Sequence, residues 1–393
     1  MKTGAIICEY NPLHHGHVYQ IQETKKQGIT HLIALLSDDF VQRGDTALLN
    51  KFDRAALALQ AGADLVIELP VPYSCASAEF YAKGAVQILH DLNITDILSF
   101  GCSGSPEELQ KLAEIFLKNQ VSDQIQKFLK SGFSYPSAIY QSVSEIAPES
   151  AGLLLDPNNL LALEYLKAMH RQHVKFQPLM IPRKSVMHDS TETSGNFASA
   201  SLIRNRFFHH QNYQDYIPDF TEKMLSDRQK QGRIADFYRL EKIILYQMRM
   251  LSEQALLSLP DMTPELAGRF RKAVSQNTLD DFLNTVKSKC FTMARIRRMI
   301  FYALAGVRKE DFNSSVPYAR ILGFNQNGTQ LLKKIKNQSR IPVSTSLADL
   351  RKLSPHAERF VQLESNTANL YGLALNQISS AESDFRMKIY LTK

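Results

Sequence analysis

MKTGAIICEYNPLHHGHVYQ, residues 1–20, carries the reading of the whole N-terminal half. Its apolar run, GAIIC, breaks into the turn segment NPLHHGH, which puts three histidines into four residues, and then into the helical pattern GHVYQIQETKKQG. A nearly continuous apolar strand that turns into a helix is the first unit of a parallel sheet covered on both faces. The unit recurs downstream. THLIALLS (30–37), ADLVIEL (63–69), TDILSFG (95–101) and HVKFQPLMI (173–181) read as further buried strands, like GAIICEY (4–10). Helical stretches separate them: KFDRAALALQAG, SAEFYAKGAVQILHDL, PEELQKLAEIFLKN and NNLLALEYLKAMHRQ (158–172), the last with Asn158 or Asn159 suited to its N-cap. Strand and helix in alternation predict an α/β fold with right-handed crossovers.

Past about residue 205 the strand pattern stops. GRIADFYRLEKIILYQMRML, PELAGRFRKAVSQ, LDDFLNTVKSK and FTMARIRRMIFYALAG have helical spacing and end on Gly, Asn or Ser signals. The sequence therefore predicts two domains, an α/β domain over 1–208 and an all-α domain over 209–393.

Charge divides the chain at the same place. Residues 1–200 hold 16 Lys and Arg against 21 Asp and Glu, and residues 201–393 hold 30 against 18, so the net charge of +7 resides entirely in the second half. A basic half suits a polyanion, with a solvated helical surface as the plainer alternative. No stretch has the roughly 18 apolar residues of a membrane span. Four scattered cysteines without CxxC spacing argue against a disulfide framework or a structural zinc site, so a reducing cytoplasm is expected.

The histidines sit where an open parallel sheet binds ligands, beyond a strand's carboxyl end and at the start of a helix whose free N–H groups attract anions. His14 and His17, three apart, fall on one face of that helix, and Gly16 between them permits close approach of a nucleotide. Imidazole N–H groups there donate to phosphate oxygens as charge builds on an α-phosphate under attack. Zinc is the weaker alternative, because no cysteine or acidic cluster completes a ligand set. Much later, FASASLIR (197–204) offers Ser199 and Ser201 as helix caps and phosphate donors and Arg204 as a fork for phosphate oxygens.

Asn11-Pro12-Leu13-His14-His15-Gly16-His17 resembles the HxGH motif of the nucleotidyltransferase superfamily, whose Rossmann-like domain transfers an adenylyl group from ATP. Phe197 to Arg204 resembles the superfamily's ISSTxxR-type segment, which opens a helix and contacts the triphosphate. Together with LSDDFVQRGDTALLNKFDRAALALQAGADLVIELP (36–70), LSFGCSGS (98–105), DPNNLLALEYLKA (156–168) and IPRKSVMHD (181–189), these motifs resemble the tRNA(Met) cytidine acetate ligases over nearly the whole chain.

The resemblance implies a ligase that uses ATP and acetate to form acetyl-adenylate and passes the acetyl group to N4 of the wobble cytidine of elongator tRNA(Met), with no acetyl-CoA. It implies His14 and His17 as catalytic residues. It implies ATP contacts from Ile7, Cys8, Glu9, Tyr10, Asn11, Pro12, Leu13, His14, His15, Gly16, His17, Val18, Tyr19 and Gln20, and from Gly101, Asn158 or Asn159, Arg183, Ser199, Ser201 and Arg204. Magnesium is expected with the triphosphate and no metal site from protein alone. Two departures stand out: Asp38 where the family has glycine, and RKSVMHD in place of a more glycine-rich stretch. A carboxylate at 38 beside a triphosphate requires compensation from magnesium, Lys51 or Arg43.

In the basic half, Arg295, Arg297 and Arg298 on one helix and Lys333, Lys334 and Lys336 on another are the expected contacts to the tRNA anticodon region. Tyr302, Tyr318 and Phe324 are either stacking platforms or core. Two rival functions keep the nucleotide fold but change the role: a metabolite adenylyltransferase, and a non-catalytic RNA-binding protein with a vestigial nucleotide site. No protein partner and no membrane association are expected.

Overall fold

The computed structural model describes residues 1–117, 119–183 and 195–392. The strands expected from apolar runs form as β1 (Thr3–Cys8), β2 (His31–Ser37), β3 (Leu65–Leu69), β4 (Ile97–Cys102) and β5 (Gln177–Pro182). All five are parallel, in the order β5-β4-β1-β2-β3. Alternate residues of the same strands feed two cores. Ala5, Ile33, Leu35, Leu65 and Ile67 face one layer, while Ile6, Leu32, Ala34, Leu36 and Val66 face the other. That is why these runs are nearly continuous in apolar residues.

Helices α1 (His15–Lys26) and α2 (Lys51–Gln60) carry the chain from β1 to β2 and from β2 to β3. Helices α3 (Ala78–Leu92) and α4 (Pro157–Arg171) pack against each other and lead into β4 and β5. The N-cap of α4 is Asp156, whose carboxylate accepts from the Asn158 N–H, and neither Asn158 nor Asn159 caps it. Asp is the stronger choice because its acceptor also complements the positive end of the helix dipole.

The expected all-α character of the second half needs correction. Helices α5 (Ala200–Phe208), α6 (Glu241–Met250), α7 (Pro264–Ala273), α8 (Met293–Ala305), α9 (Gln326–Gln338) and α10 (Pro355–Leu373) do form. Yet β6 (Ala319–Phe324) returns to the sheet, antiparallel to β3, and is followed by β7 (Val343–Ser344) and β8 (Tyr390–Leu391), which pair with it. The described residues thus form an eight-stranded sheet. One buried cluster runs from Ala5 to Leu375, so the boundary at 208/209 marks a change of composition and charge that the core crosses. The β6 strand escapes a hydrophobicity reading because Arg320 is the second residue of ARILGF; it is 2% exposed and is neutralised by acidic residues distant in sequence.

Candidate active site

Strand order reverses direction between β1 and β4, and a 380 Å³ cavity opens there at the carboxyl edge of the sheet. Such a switch point is where open α/β sheets take ligands. Its walls come from β1 (Ile7, Cys8), β4 (Phe100, Gly101) and β5 (Ile181, Pro182), with Gly16 and His17 at the start of α1 and Ser199 and Ala200 at the start of α5. Two helix N-termini therefore converge on one cavity, a strong arrangement for an anion.

The histidines form the first turn of α1. His14 is the N-cap, and its Nδ1 accepts from the Gly16 N–H at 3.1 Å; the His17 Nδ1 accepts in return from the His14 N–H at 3.2 Å. This is a capping box made of imidazoles instead of a hydroxyl and a carboxylate. A ring nitrogen that accepts a backbone hydrogen bond carries no proton, so each neutral ring holds its proton on Nε2. The two rings stack at 3.6 Å, both line the cavity, and Tyr10 meets His17 edge-on at 4.9 Å. A Cβ at Gly16 would lie 2.9 Å from His14 Cε1, so glycine is required for the cap to close. Spacing in HxGH is thus set by the helix, and the chemistry by what the cap leaves over.

Burial, and secondarily the Arg183 charge, push the His17 pKa down to about 3. Its ring is expected to stay neutral in the free protein from pH 8 to pH 5, where an ordinary imidazole with a pKa of about 6.5 would pick up its proton. Ring 15N shifts measured across that range check this, and a transition near 6.5 contradicts it. A depressed histidine also favours the folded state above about pH 6.5, and that contribution fades as pH falls towards 3.

Of the residues expected to contact ATP, Ile7, Cys8, Glu9, Tyr10, Asn11, His14, Gly16, His17, Tyr19, Gln20, Gly101, Asn158, Arg183 and Ser199 line the cavity. Pro12, Leu13, His15, Val18, Asn159, Ser201 and Arg204 are not on its wall. Asn159 is 1% exposed and bonds the backbone of Ser103 and Leu153, so Asn158 is the one that faces the cavity. Arg204 donates to the Asn11 carbonyl at 2.8 Å and holds the loop ahead of the histidines, while Ser199 caps α5 and bonds Ser201. Residues 184–189 of IPRKSVMHD lie outside the described residues.

Sequence reasoning missed an aromatic wall of Tyr81, Phe100 and Tyr165, together with Gln42 and Phe197. Nothing in their patterns separates them from core positions. Arg43, offered only as a compensating charge, does line the cavity. The concern over Asp38 dissolves: it is 0% exposed and pairs with Lys51 at 3.4 Å inside the protein, off the cavity wall.

The basic residues separate into two groups. On α8, Arg295 pairs with Asp261 and Arg297 with Asp45, while Arg298 donates to the Gln42 carbonyl. Gly44, at φ +76°, leaves no room for a Cβ against the Arg297 and Arg298 backbone, so α8 grips the turn that carries Gln42 and Arg43 to the cavity. Lys333, Lys334 and Lys336 lie on α9, whose start bonds Asp64 just before β3 and whose far end reaches Asn93, beyond α3. That is the amino edge of the sheet, away from the cavity. Tyr302 and Tyr318 are core, at 2% and 1% exposure, and Phe324 belongs to β6. Among the described residues, no helix is long and apolar enough to cross a membrane, and no group of three or more His, Cys, Asp or Glu is placed to hold a metal.

Comparison with known proteins agrees with this geometry. A family model described as HIGH Nucleotidyl Transferase matches residues 1–385. The tRNA(Met) cytidine acetate ligase of Thermoanaerobacter sp. (strain X514) is 35% identical over 398 residues, 98% of either chain. That of Alkaliphilus metalliredigens (strain QYMF) is 34% identical over 421 residues, 100% of this chain and 99% of its own. Among solved structures, Thermotoga maritima TmcAL bound with alpha-thio ATP superposes with a TM-score of 0.93 at 26% identity, covering 100% of both chains.

Proposed function

This chain belongs to the HIGH nucleotidyl transferase family and, within it, to the tRNA(Met) cytidine acetate ligases, and from that premise we propose how its cavity works. The protein acetylates a tRNA cytidine with the help of ATP. ATP occupies the switch-point cavity with its phosphates between the N-termini of α1 and α5. The observation that carries this reading is the imidazole capping box on the cavity wall: both Nδ1 atoms accept from the backbone, so each neutral ring carries its proton on Nε2, and both rings line the cavity.

An acetate oxygen attacks the α-phosphorus in line, the bond to the β-phosphate oxygen breaks, and pyrophosphate leaves. The histidine donors, with Arg183, Arg43 and the helix ends, stabilise the charge that builds on the phosphate oxygens. Arg204 and Ser201 act behind them as positioning residues, through the Asn11 carbonyl and the Ser199 cap. The N4 amine of the wobble cytidine then attacks the acetyl carbonyl, expels AMP and loses a proton. The aromatic wall of Tyr81, Phe100 and Tyr165 keeps water from the mixed anhydride. Magnesium would enter with the triphosphate. Glu9 is the acidic residue on the described wall, and Mg2+ in such sites binds one or two carboxylates plus substrate phosphates. ATP, acetate and tRNA place the work in the cytoplasm.

Two measurements test this. ATP–pyrophosphate exchange should depend on acetate, and mass spectrometry of tRNA(Met) nucleosides after incubation with ATP and labelled acetate should find labelled N4-acetylcytidine. Exchange that needs a nucleotide-like acceptor instead of acetate would point to a metabolite adenylyltransferase. Absence of exchange with retained tRNA binding would leave the nucleotide site without a catalytic role.

A further inference from the structure

Arg295, Arg297 and Arg298 are engaged inside the fold, and Lys333, Lys334 and Lys336 stand at the wrong edge of the sheet, which leaves the basic half without an evident surface for RNA near the cavity. Such a surface lies on α6. Lys242, Tyr246, Arg249 and Met250 stand at i, i+4, i+7 and i+8 and so share one helix face, and all four are exposed. Tyr246 is 65% and Met250 67% exposed, so both present most of their apolar surface on the same face as the two cations. Arg249 is held erect by bonds to the Val274 and Gln276 carbonyls, and Glu241 is turned inward to the Leu279 N–H. The exposed stripe itself carries no carboxylate.

The turn that leads into the stripe is tied to a loop of the cavity wall. Tyr238, exposed in the turn before α6, lies beside Arg297, whose guanidinium sits 5.9 Å from the Tyr238 ring and 2.9 Å from Asp45. Asp45 closes the turn that presents Gln42 and Arg43 to the cavity. From that point α6 extends for about 15 Å, given a rise of about 1.5 Å per residue. Cations flanking exposed aromatic rings along a ridge are what an unpaired RNA strand needs: charge for its phosphates and flat faces for its bases. On α6 the exposed tyrosine lies between two cations on one face that carries no carboxylate, which is the combination that separates this face from a plainly solvated one.

We propose that this α6 ridge is the docking surface for the anticodon arm of the tRNA, with Lys242 and Arg249 on its phosphates and Tyr246 stacked on an unpaired base. The inference rests on the functional reading above, and names the surface that delivers the RNA to the cavity.

The test is filter binding of a tRNA(Met) transcript at several salt concentrations to the full chain and to Lys242→Glu/Tyr246→Ala, both side chains being exposed enough for the helix to survive, with circular dichroism to check folding. Affinity should fall about tenfold or more, since one base stack and one phosphate contact are lost. The salt dependence should become shallower by about 0.7 in log–log slope. The KM for tRNA should rise with it while pyrophosphate exchange in the absence of tRNA stays near that of the wild type. Unchanged affinity and slope in a folded variant overturn the proposal. So does a loss that appears instead in Lys333→Glu/Lys336→Glu, which would assign docking to the amino edge, or an equal loss for an unrelated protein competitor, which would make the ridge a protein interface. Should the wild type show no acetate-dependent exchange, the functional reading fails, whereas RNA retention by the ridge is still read directly.

Discussion

His17→Ala is expected to lower acetate-dependent pyrophosphate exchange about 10²- to 10³-fold while tRNA binding stays within about twofold, the magnitude that follows from deleting one preorganised donor to a developing oxyanion. Alanine also removes half of the capping box, which costs on the order of 1 kcal/mol of stability. His17→Asn separates the two effects. An asparagine carboxamide oxygen reaches the place of Nδ1 and still accepts from the His14 N–H, but nothing replaces Nε2. The asparagine variant should therefore keep most of the stability and lose the exchange as fully as alanine does. Thermal melts alongside exchange rates decide the matter: an Asn variant that regains most of the activity would show that His17 serves only the helix start. Equal loss of exchange and tRNA affinity would show instead that cavity and RNA surface do not act separately.

The part of this site that the sequence displays is the part built by local geometry. His14 and His17 have to be three apart, with Gly16 between them, because the capping box of a helix start joins them, and Ser199 has to precede α5 because it caps it, so spacing alone points to both. Strands β1 to β4 are legible for a similar reason: burial on both faces leaves nearly continuous apolar runs, while β5, at the sheet edge and only partly buried, is legible from its apolar PLMI run. Long-range contacts are what remain hidden. Arg320 makes β6 look unlike a strand because its partners lie at 68, 364 and 384. Asp38 looks like a hazard to ATP until Lys51 is seen to hold it inside. A count of arginines on α8 records an excess of charge without showing that Asp45, Asp261 and the Gln42 carbonyl already take it up. Tyr81 and Tyr165 read as core because they are core; only the opening between β1 and β4 makes them walls.

That buried charge cluster carries the largest expected effect on stability. The Lys51 ammonium lies 2.5 Å from Glu68, 2.9 Å from Asp384 and 3.4 Å from Asp38, and Arg320 reaches Asp384, Glu68 and Glu364 at 2.8, 3.3 and 3.6 Å, all at 2% exposure or less. Two cations face four carboxylates. Burial pushes the pKa of Glu364 up to about 8, of Glu68 to about 7 and of Asp38 to about 6, whereas for Asp384 the two cations outweigh burial and hold it below the usual range. Lys51→Met removes one cation and keeps the side-chain volume, so the carboxylates around it are left buried and uncompensated, at a cost of about 3–5 kcal/mol. The sign with pH follows. A carboxyl group whose folded pKa is raised binds its proton more tightly folded than unfolded, so its contribution is present in acid and lost as pH rises from about 4 towards the folded value. Losing Lys51 raises those values further, so a part of the defect that comes from ionised Asp384 should already be present at pH 5, and the parts from Asp38, Glu68 and Glu364 should add to it as pH rises to 8 and beyond. Urea unfolding of wild type and variant at those two pH values measures it, and a defect that is small or independent of pH would mean that the cluster does not confine charge. The consequence reaches the active site, because Lys51 opens α2 directly after the 38–50 loop and ties Asp384 of the C-terminal segment beneath it. Loosening the cluster should therefore weaken exchange before the chain unfolds, since the turn bearing Gln42 and Arg43 belongs to that same loop.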